Sequence, residues 1–363
     1  VKRKVLFAIP SLNVGGAERV LTLLLRHLPR ERFEPELALV QDSGPFLEHV
    51  PADVPVHDLG ATRVRYGLPK LLRLVRRLKP DVLLSHLSYL NLAVMLIRPF
   101  LPRSTRVLLQ ETTTLSEQLA EGSRPGLHAL AYRLLYARAD AVVCCSEAML
   151  EDLVRRFGLP RQRLRCVPNP VDEDAIERVI AGSASPYPGA GPHVLGVGRL
   201  AREKGYDRLI DAFTLLAGRQ PDAQLWLLGD GPEREALEQR AGQAGLAARV
   251  HFVGYELNPY PWMRHAAVFV QSSRREGLPV AVLEALACGT RVAAFDCPGG
   301  TREILEGVEG TTLVPDGNLA ALADAMARLP SPGSSPRPVL PARFRLDAAV
   351  RAYTELLSGP ASS

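Results

Sequence analysis

Two carboxylates, Glu276 and Glu284, bracket the start of a helix in the stretch Arg274-Arg275-Glu276-Gly277-Leu278-Pro279-Val280-Ala281-Val282-Leu283-Glu284. Pro279 reads as the first helical residue, where a missing N–H costs nothing, and Gly289 as the stop, which predicts a helix over residues 279–288. The amide end of such a helix is an anion site, with backbone donors at Gly277, Leu278 and Val280 able to face a phosphate. Glu284 lies five residues beyond Pro279, about 7.5 Å along the axis, the span from a diphosphate to a ribose. A carboxylate accepting from ribose hydroxyls at one end and Glu276 accepting from sugar hydroxyls at the other would together measure a nucleotide sugar. Standing alone, the pair reads equally well as a capping acid and a surface glutamate.

Positive groups of the matching kind precede it. In Gly196-Val197-Gly198-Arg199-Leu200-Ala201-Arg202-Glu203-Lys204-Gly205, Arg199 can fork onto phosphate oxygens and Lys204 can add a point charge. A departing nucleoside diphosphate needs such charges when no metal is present; a solvated basic loop is the plain alternative. Nearer the start, Gly15 and Gly16 follow a strand and open a helix, where the lack of Cβ lets amides approach an anion; a simple tight turn has the same signature. Asp172-Glu173-Asp174 imitates a metal-binding triplet, yet it follows Pro170-Val171 and opens a helix, where acids cap amide ends. The eight histidines do not cluster, so no metal site and no cofactor is expected. The five cysteines lack CxxC spacing and read as small core residues.

The elements that must position these residues alternate along the chain. Strand-like runs at 5–9, 36–40, 82–84, 107–109 and 141–145, and again at 194–197, 224–228, 250–253, 268–270 and 292–294, are separated by segments of helical period. This rhythm predicts two doubly wound parallel α/β sheets, with ligands beyond the carboxyl ends of the strands and thus in a cleft between the two domains. The boundaries read as a first domain over 1–168, a linker over 169–192 that holds a short helical stretch followed by residues 182–192 rich in Gly, Ser and Pro, a second domain over 193–340, and a terminal helix within 341–363. With 47% hydrophobic and 23% charged residues the chain is that of a folded protein rather than a disordered one. No run reaches the roughly 20 apolar residues of a membrane span, and the apolar run near the start is too short for a signal peptide. Charge is uneven: residues 1–168 hold 25 Lys and Arg against 16 Asp and Glu, or +9, and the rest hold 19 against 23, or −4. A basic first half suggests an anionic partner such as a membrane surface or a phosphate-bearing acceptor, and no nucleic-acid-binding motif accompanies it.

Taken together, the Glu276–Glu284 spacing in a Glu-Gly-Leu-Pro context, the Gly-Arg/Lys-Gly loop and the early Gly-Gly loop resemble the retaining glycosyltransferases of family 4, of the GT-B fold, over about residues 4–330. The resemblance implies a cytosolic, metal-independent enzyme with a nucleoside-diphosphate sugar as donor, uridine ahead of guanosine diphosphate, and a glycan or lipid-linked acceptor, peripheral to the inner face of the membrane. It implies that Arg199 and Lys204 stabilise the leaving diphosphate, that Glu276 orients the sugar, that Glu284 holds the ribose, and that Gly15 and Gly16 close the donor site. It makes Val253 and Tyr255 nucleobase contacts and returns the terminal helix to the first domain. Many members carry a histidine near the anomeric carbon, where this chain has Leu109-Gln110-Glu111-Thr112-Thr113-Thr114; Glu111 or Thr112 takes its place, and His86 at an earlier strand end is a further acceptor-side candidate. The missing histidine keeps open an inactive scaffold or partner subunit.

Overall fold

The computed structural model describes residues 2–13, 15–120, 125–189, 191–328 and 337–359. They form two compact units, Val1–Asn169 with Leu346–Ser363, and Pro170–Arg345. Unit 1 contains, in order, β1 (Arg3–Ile9), α1 (Gly16–His27), β2 (Phe33–Leu39), β3 (Val56–Asp58), α2 (Val64–Leu78), β4 (Val82–His86), α3 (Ser88–Ile97), β5 (Arg106–Glu111), α4 (Leu115–Ala120), α5 (Pro125–Tyr136), β6 (Ala141–Cys144), α6 (Glu147–Phe157) and β7 (Leu164–Cys166). All seven strands run parallel in the order β3-β2-β1-β4-β5-β6-β7. Val5 to Ile9 of β1 and Val82 to Leu84 of β4 are buried, the unbroken apolar runs that a parallel sheet covered on both faces requires.

Unit 2 repeats the plan with α7 (Glu173–Ile180), β8 (His193–Val197), α8 (Tyr206–Ala217), β9 (Gln224–Leu228), α9 (Arg234–Gln243), β10 (Val250–Gly254), α10 (Tyr260–His265), β11 (Val268–Gln271), α11 (Val280–Ala287), β12 (Val292–Asp296), α12 (Thr301–Leu305), β13 (Thr311–Pro315) and α13 (Leu319–Ala327). Its six strands are ordered β10-β9-β8-β11-β12-β13. In both sheets the order reverses beside the first strand, between β1 and β4 and between β8 and β11. At such a switch point the loops after the two strands diverge and leave a crevice for a ligand.

The terminal helix α14 (Leu346–Ser358) belongs to unit 1. Its buried face carries Ala349, Tyr353 and Leu357, and the Tyr353 hydroxyl donates to Gln110 Oε1 of β5 at 2.5 Å. Residues 170–189 of the stretch read as a linker belong to unit 2. Ile176 and Ile180 of α7 are buried, α7 lies against α10 and α11, and the Val171 amide donates to the Phe344 carbonyl at 3.0 Å. Asp172 caps α7 by accepting from the Ala175 amide at 2.9 Å, and Glu173 pairs with Arg345 at 2.8 Å, which gives the acidic triplet a structural use. Most of the Pro/Ser stretch 330–341 and the last four residues lie outside the described residues. None of the five cysteines forms a disulfide.

Tyr353→Ala should destabilise unit 1 by about 3–5 kcal/mol, the usual cost of truncating a large buried aromatic, and Tyr353→Phe by about 1 kcal/mol. Both tryptophans, Trp226 and Trp262, lie in unit 2, so the two units have separate probes. Denaturant titration of Tyr353→Ala should show an early phase in far-UV circular dichroism that tryptophan fluorescence does not share.

Candidate functional site

The loops after β8 and β11, seventy residues apart in the chain, meet at the switch point of unit 2. Lys204 ends a short 3₁₀ turn, Arg202–Lys204, after β8. Its Nζ donates to Glu276 Oε1 at 2.7 Å, and the Ser273 hydroxyl donates to the same oxygen at 2.6 Å. The Glu276 side chain is 10% exposed and that of Lys204 30%, so the pair sits at the mouth of the crevice rather than in open solvent. Gly205 follows at φ +64, where a Cβ would run into the Ser272 carbonyl; only glycine lets the two loops approach this closely.

Arg274 fastens the same two loops. Its guanidinium reaches both oxygens of Asp207, at 2.8 and 2.6 Å, and the carbonyl of Arg202 at 2.8 Å, while its amide donates to the Glu203 carbonyl at 2.8 Å. Against a burial that pushes it up, this fork holds the Asp207 carboxyl below its ordinary range. The far side of Glu276 is fixed by a third segment: its amide donates to the Pro298 carbonyl at 3.0 Å, and Gly299, at φ +118, lies so close that a Cβ would strike the Glu276 carbonyl. Glu276 is therefore held through its backbone as well as its carboxylate.

Helix α11 begins one residue later than the sequence suggests. Pro279 is its N-cap, extended at ψ 105°, and Val280 is the first helical residue. Pro279 still shapes the start, because its carbonyl accepts from the Val282 and Leu283 amides at 3.1 and 3.3 Å, leaving Val280 and Ala281 as the helix-end donors. No side chain caps this end. Leu278 is buried, which anchors the turn, and Gly277 accepts from the Gly300 amide at 2.8 Å. Glu284 is 5% exposed, and the Tyr260 hydroxyl of α10 donates to its Oε1 at 3.2 Å. Arg199 is paired with Glu203 one turn on. Burial pushes the Glu203 carboxyl up, yet its own amide and Arg199 hold it below the usual range. Val253 is the last residue but one of β10; Gly254 closes the strand, its carbonyl accepting from the Gly229 amide at 2.7 Å, and Tyr255 follows, exposed. Glu203 and Ser273, which act on Arg199 and Glu276 within their own loops, and Asp207 and Tyr260, which act on Arg274 and Glu284 from other helices, were not legible as site residues.

At the switch point of unit 1, Gly15 is the N-cap of α1 with no side-chain cap. It is extended, at φ −177, so its use is close approach, not a left-handed turn. The loop before it is braced by a Leu12 amide to Ser43 carbonyl bond at 2.9 Å and a Phe46 amide to Leu12 carbonyl bond at 3.2 Å. His86 and Glu111, expected on the acceptor side, are both buried. Burial pushes the His86 imidazole down to about 4, so it is neutral at pH 7. Leu87 beside it holds φ +74, an uncommon conformation for a branched side chain. Glu111 accepts from the Ser88 hydroxyl at 2.7 Å, from Asn91 Nδ2 at 2.8 Å and from the Tyr136 hydroxyl, which makes it a tie between β5, α3 and α5. Thr112, next in line, is half-buried at the loop surface. Among the described residues, then, Thr112 is the acceptor-side candidate with a surface position.

With that geometry in place, the comparisons with known proteins agree on a family. Residues 14–175 match the profile described as Glycosyltransferase Family 4, and residues 191–331 that of Glycosyl transferases group 1. An uncharacterized glycosyltransferase of Methanocaldococcus jannaschii is 28% identical over 65% of this chain and 60% of its own length. The N-acetylgalactosamine-N,N'-diacetylbacillosaminyl-diphospho-undecaprenol 4-alpha-N-acetylgalactosaminyltransferase of Campylobacter jejuni is 29% identical over 82% of this chain and 81% of its own. The crystal structure of Anabaena HepE in complex with UDP-glucose superposes with a TM-score of 0.81 at 20% identity, covering 98% of this chain and 99% of that one; it shares the fold.

Burial raises the Glu111 carboxyl above its ordinary value, and the bonds from Tyr136, Asn91 and Ser88 offset this only in part. A group raised on folding stabilises the fold fully below its unfolded pKa and ceases to do so as pH rises through its folded one. The stability of the wild type minus that of Glu111→Gln should therefore fall as pH rises above about 4.5. Urea titrations of both proteins across the acidic to neutral range test this, and a difference flat with pH would show that Glu111 is not strained by burial.

Proposed function

We propose, for a chain that belongs to the family 4 glycosyltransferases (glycosyl transferases group 1), a retaining transfer of a sugar from a nucleoside-diphosphate donor to a lipid-linked glycan acceptor at the inner face of the membrane. The observation that carries the reading is the Lys204–Glu276 pair at 2.7 Å beside the uncapped start of α11. It combines a positive charge for a leaving phosphate, a carboxylate for sugar hydroxyls and helix-end amides for the diphosphate. Glu284, one and a half turns into α11, takes the ribose hydroxyls. Val253 and Tyr255 take the base. Gly15 and Gly16 supply amides toward the donor, and Thr112 is the acceptor-side residue.

In the proposed step the bond between the anomeric carbon and the phosphate oxygen breaks, the acceptor oxygen bonds to that carbon from the same face, and the acceptor proton passes to the departing phosphate oxygen. Arg199 and Lys204 stabilise the charge that develops on the diphosphate, where a preorganised cation is worth most. Arg199 must leave Glu203 to do so, while Lys204 stays beside Glu276 and turns its remaining donors to phosphate. The reaction then draws on side chains and helix amides in place of a metal. Uridine diphosphate as the carrier is supported by the nucleotide in the HepE complex, and the polyprenyl-linked acceptor by the name of the Campylobacter relative.

Lys204→Ala should lower turnover about 10²- to 10³-fold, the scale for losing one preorganised donor. Wild-type turnover should persist in excess EDTA. Steady-state assays decide both: near-wild-type activity in Lys204→Ala removes the clamp, and loss in EDTA restored by manganese or magnesium removes the metal-free assignment.

The two carboxylates should fail differently. Glu284→Ala should weaken both the free nucleoside diphosphate and the intact donor. Glu276→Ala should leave the nucleoside diphosphate nearly unaffected and lower turnover and sugar discrimination, because its partner is the transferred group. Calorimetric titration of each variant with diphosphate and with donor separates them, and equal losses of diphosphate affinity would show that the two acids do not divide the ligand.

A further inference from the structure

Between Gly60 and Glu111 the chain carries ten Lys and Arg and a single carboxylate, Asp81. Asp81 is already engaged, accepting from the Lys4 amide at 2.8 Å. The helix α2 supplies most of this charge. At 100° per residue Arg65, Lys70, Arg73, Arg76 and Arg77 fall within an arc of about 140°, all exposed. None has a carboxylate partner among the described residues; Lys70 and Arg76 instead donate to the carbonyls of Gly60 and Phe100, at 3.2 and 3.1 Å. The apolar side of α2, with Leu71, Leu74 and Val75, is buried in the core, so apart from the exposed Tyr66, over whose ring Arg65 lies, α2 offers charge rather than an apolar face.

The apolar component comes from its neighbour. Helix α3 lies against both α2 and α5, and its solvent face bears Tyr89, Ala93 and Leu96, continued by Phe100 in the 3₁₀ turn Arg98–Phe100. Their spacing of i, i+4, i+7 and i+11 makes one stripe. Tyr89, Leu96 and Phe100 are 52%, 60% and 59% exposed, and on α5 Leu130 and Leu134 are 51% and 56% exposed. The bond from Arg76 to the Phe100 carbonyl joins the cationic arc to this stripe. Scattered exposed apolar residues need no account, but an aligned set on adjacent helices, flanked by unpaired cations, marks an interaction surface.

We propose that α2, α3 with its terminal turn, and α5 form a face that docks on an anionic lipid bilayer, with Tyr89, Leu96, Phe100, Leu130 and Leu134 entering the headgroup region and the α2 cations lying over the lipid phosphates. Charge complementarity selects this occupant: five unpaired cations beside an apolar stripe fit a surface that is anionic outside and apolar beneath. The purpose, presenting a lipid-linked acceptor, rests on the reaction proposed above; the surface itself rests on unit 1 alone.

Sedimentation with phosphatidylglycerol/phosphatidylcholine vesicles and with phosphatidylcholine alone tests it. The full chain should pellet with the anionic vesicles at low salt, less at high salt where the charges are screened, and weakly with the neutral ones. Lys70→Gln/Arg73→Gln/Arg77→Gln should lose roughly a hundredfold in partitioning to anionic vesicles, about fivefold for each removed charge at about 1 kcal/mol. Leu96→Glu/Phe100→Glu should lose at least about tenfold at either salt. Leu96→Ser/Phe100→Ser, read beside it, guards against a folding defect, with far-UV spectra and thermal midpoints as controls. A wild-type protein that stays in solution with anionic vesicles at low salt would overturn the proposal and leave the face to an acidic protein partner, as would binding equal in wild type and variants. Donor binding measured without lipid should be unchanged in every variant, and its absence from the wild type would count against the reaction and not against this surface.

Discussion

The site depends on one constraint: loops that leave neighbouring strands and diverge must be drawn back into contact. Strands β8 and β11 are adjacent in the sheet, but their loops lead into helices whose connections are far apart in sequence. Three fastenings overcome that divergence, namely the Lys204–Glu276 pair, the Arg274 fork onto Asp207, and the Gly205 backbone pressed against Ser272. A partly buried ion pair is weak evidence for stability, since desolvation offsets its attraction. Its persistence here is better explained by position. Lys204 can turn to a phosphate without abandoning a charged neighbour, and Glu276 keeps the Ser273 hydroxyl when the lysine shifts.

The two units share a strand order and use buried polarity differently. In unit 2 the polar groups at the switch point sit at the crevice mouth and are partly exposed. In unit 1 the corresponding edge buries them: Glu111 is consumed by Ser88, Asn91 and Tyr136, and His86 is neutral beside Phe7, ring to ring at 6.2 Å. A carboxyl with three donors and no access to solvent organises strands and helices; it is poorly placed to meet a substrate. Of the two switch points, that of unit 2 is the one whose charged side chains stay partly accessible.

Much of this was readable from sequence because it is carried by local pattern. Buried parallel strands are apolar runs, and those at the centres of both sheets stand where the runs are. The three strands that escaped notice, β3, β7 and β13, are edge strands, two of them only three residues long, and the third is Thr-rich and closes on Pro315. An edge strand buries less and so needs less apolar sequence. In the stretch 169–192 the helix opened by Asp172 was legible, but not that Ile176 and Ile180 dock it within unit 2. Motif residues were legible for their chemical type; the residues that aim them were not. Nothing local in Arg274 announces a bond to Asp207, and Tyr260 reaches Glu284 only because α10 packs on α11.

The exposed stripe on α3 was hidden for the opposite reason. Residues 87–101 form an apolar run in the sequence, and the inward half of α3, with Leu90, Val94 and Met95, is buried. What sequence could not show is that the outward half is left uncovered, since a helix hydrophobic all round is expected to be enclosed. Here enclosure is incomplete, and the uncovered side begins at Tyr89, three residues after β4 ends at His86. That is the carboxyl edge of the sheet. A surface that begins at the edge carrying the Gly15–Gly16 loop and runs down α3 would keep an interfacial acceptor's polar end close to that loop while its apolar part stays in lipid. The exposed tyrosine, apolar in body and polar at its tip, suits the boundary between the two.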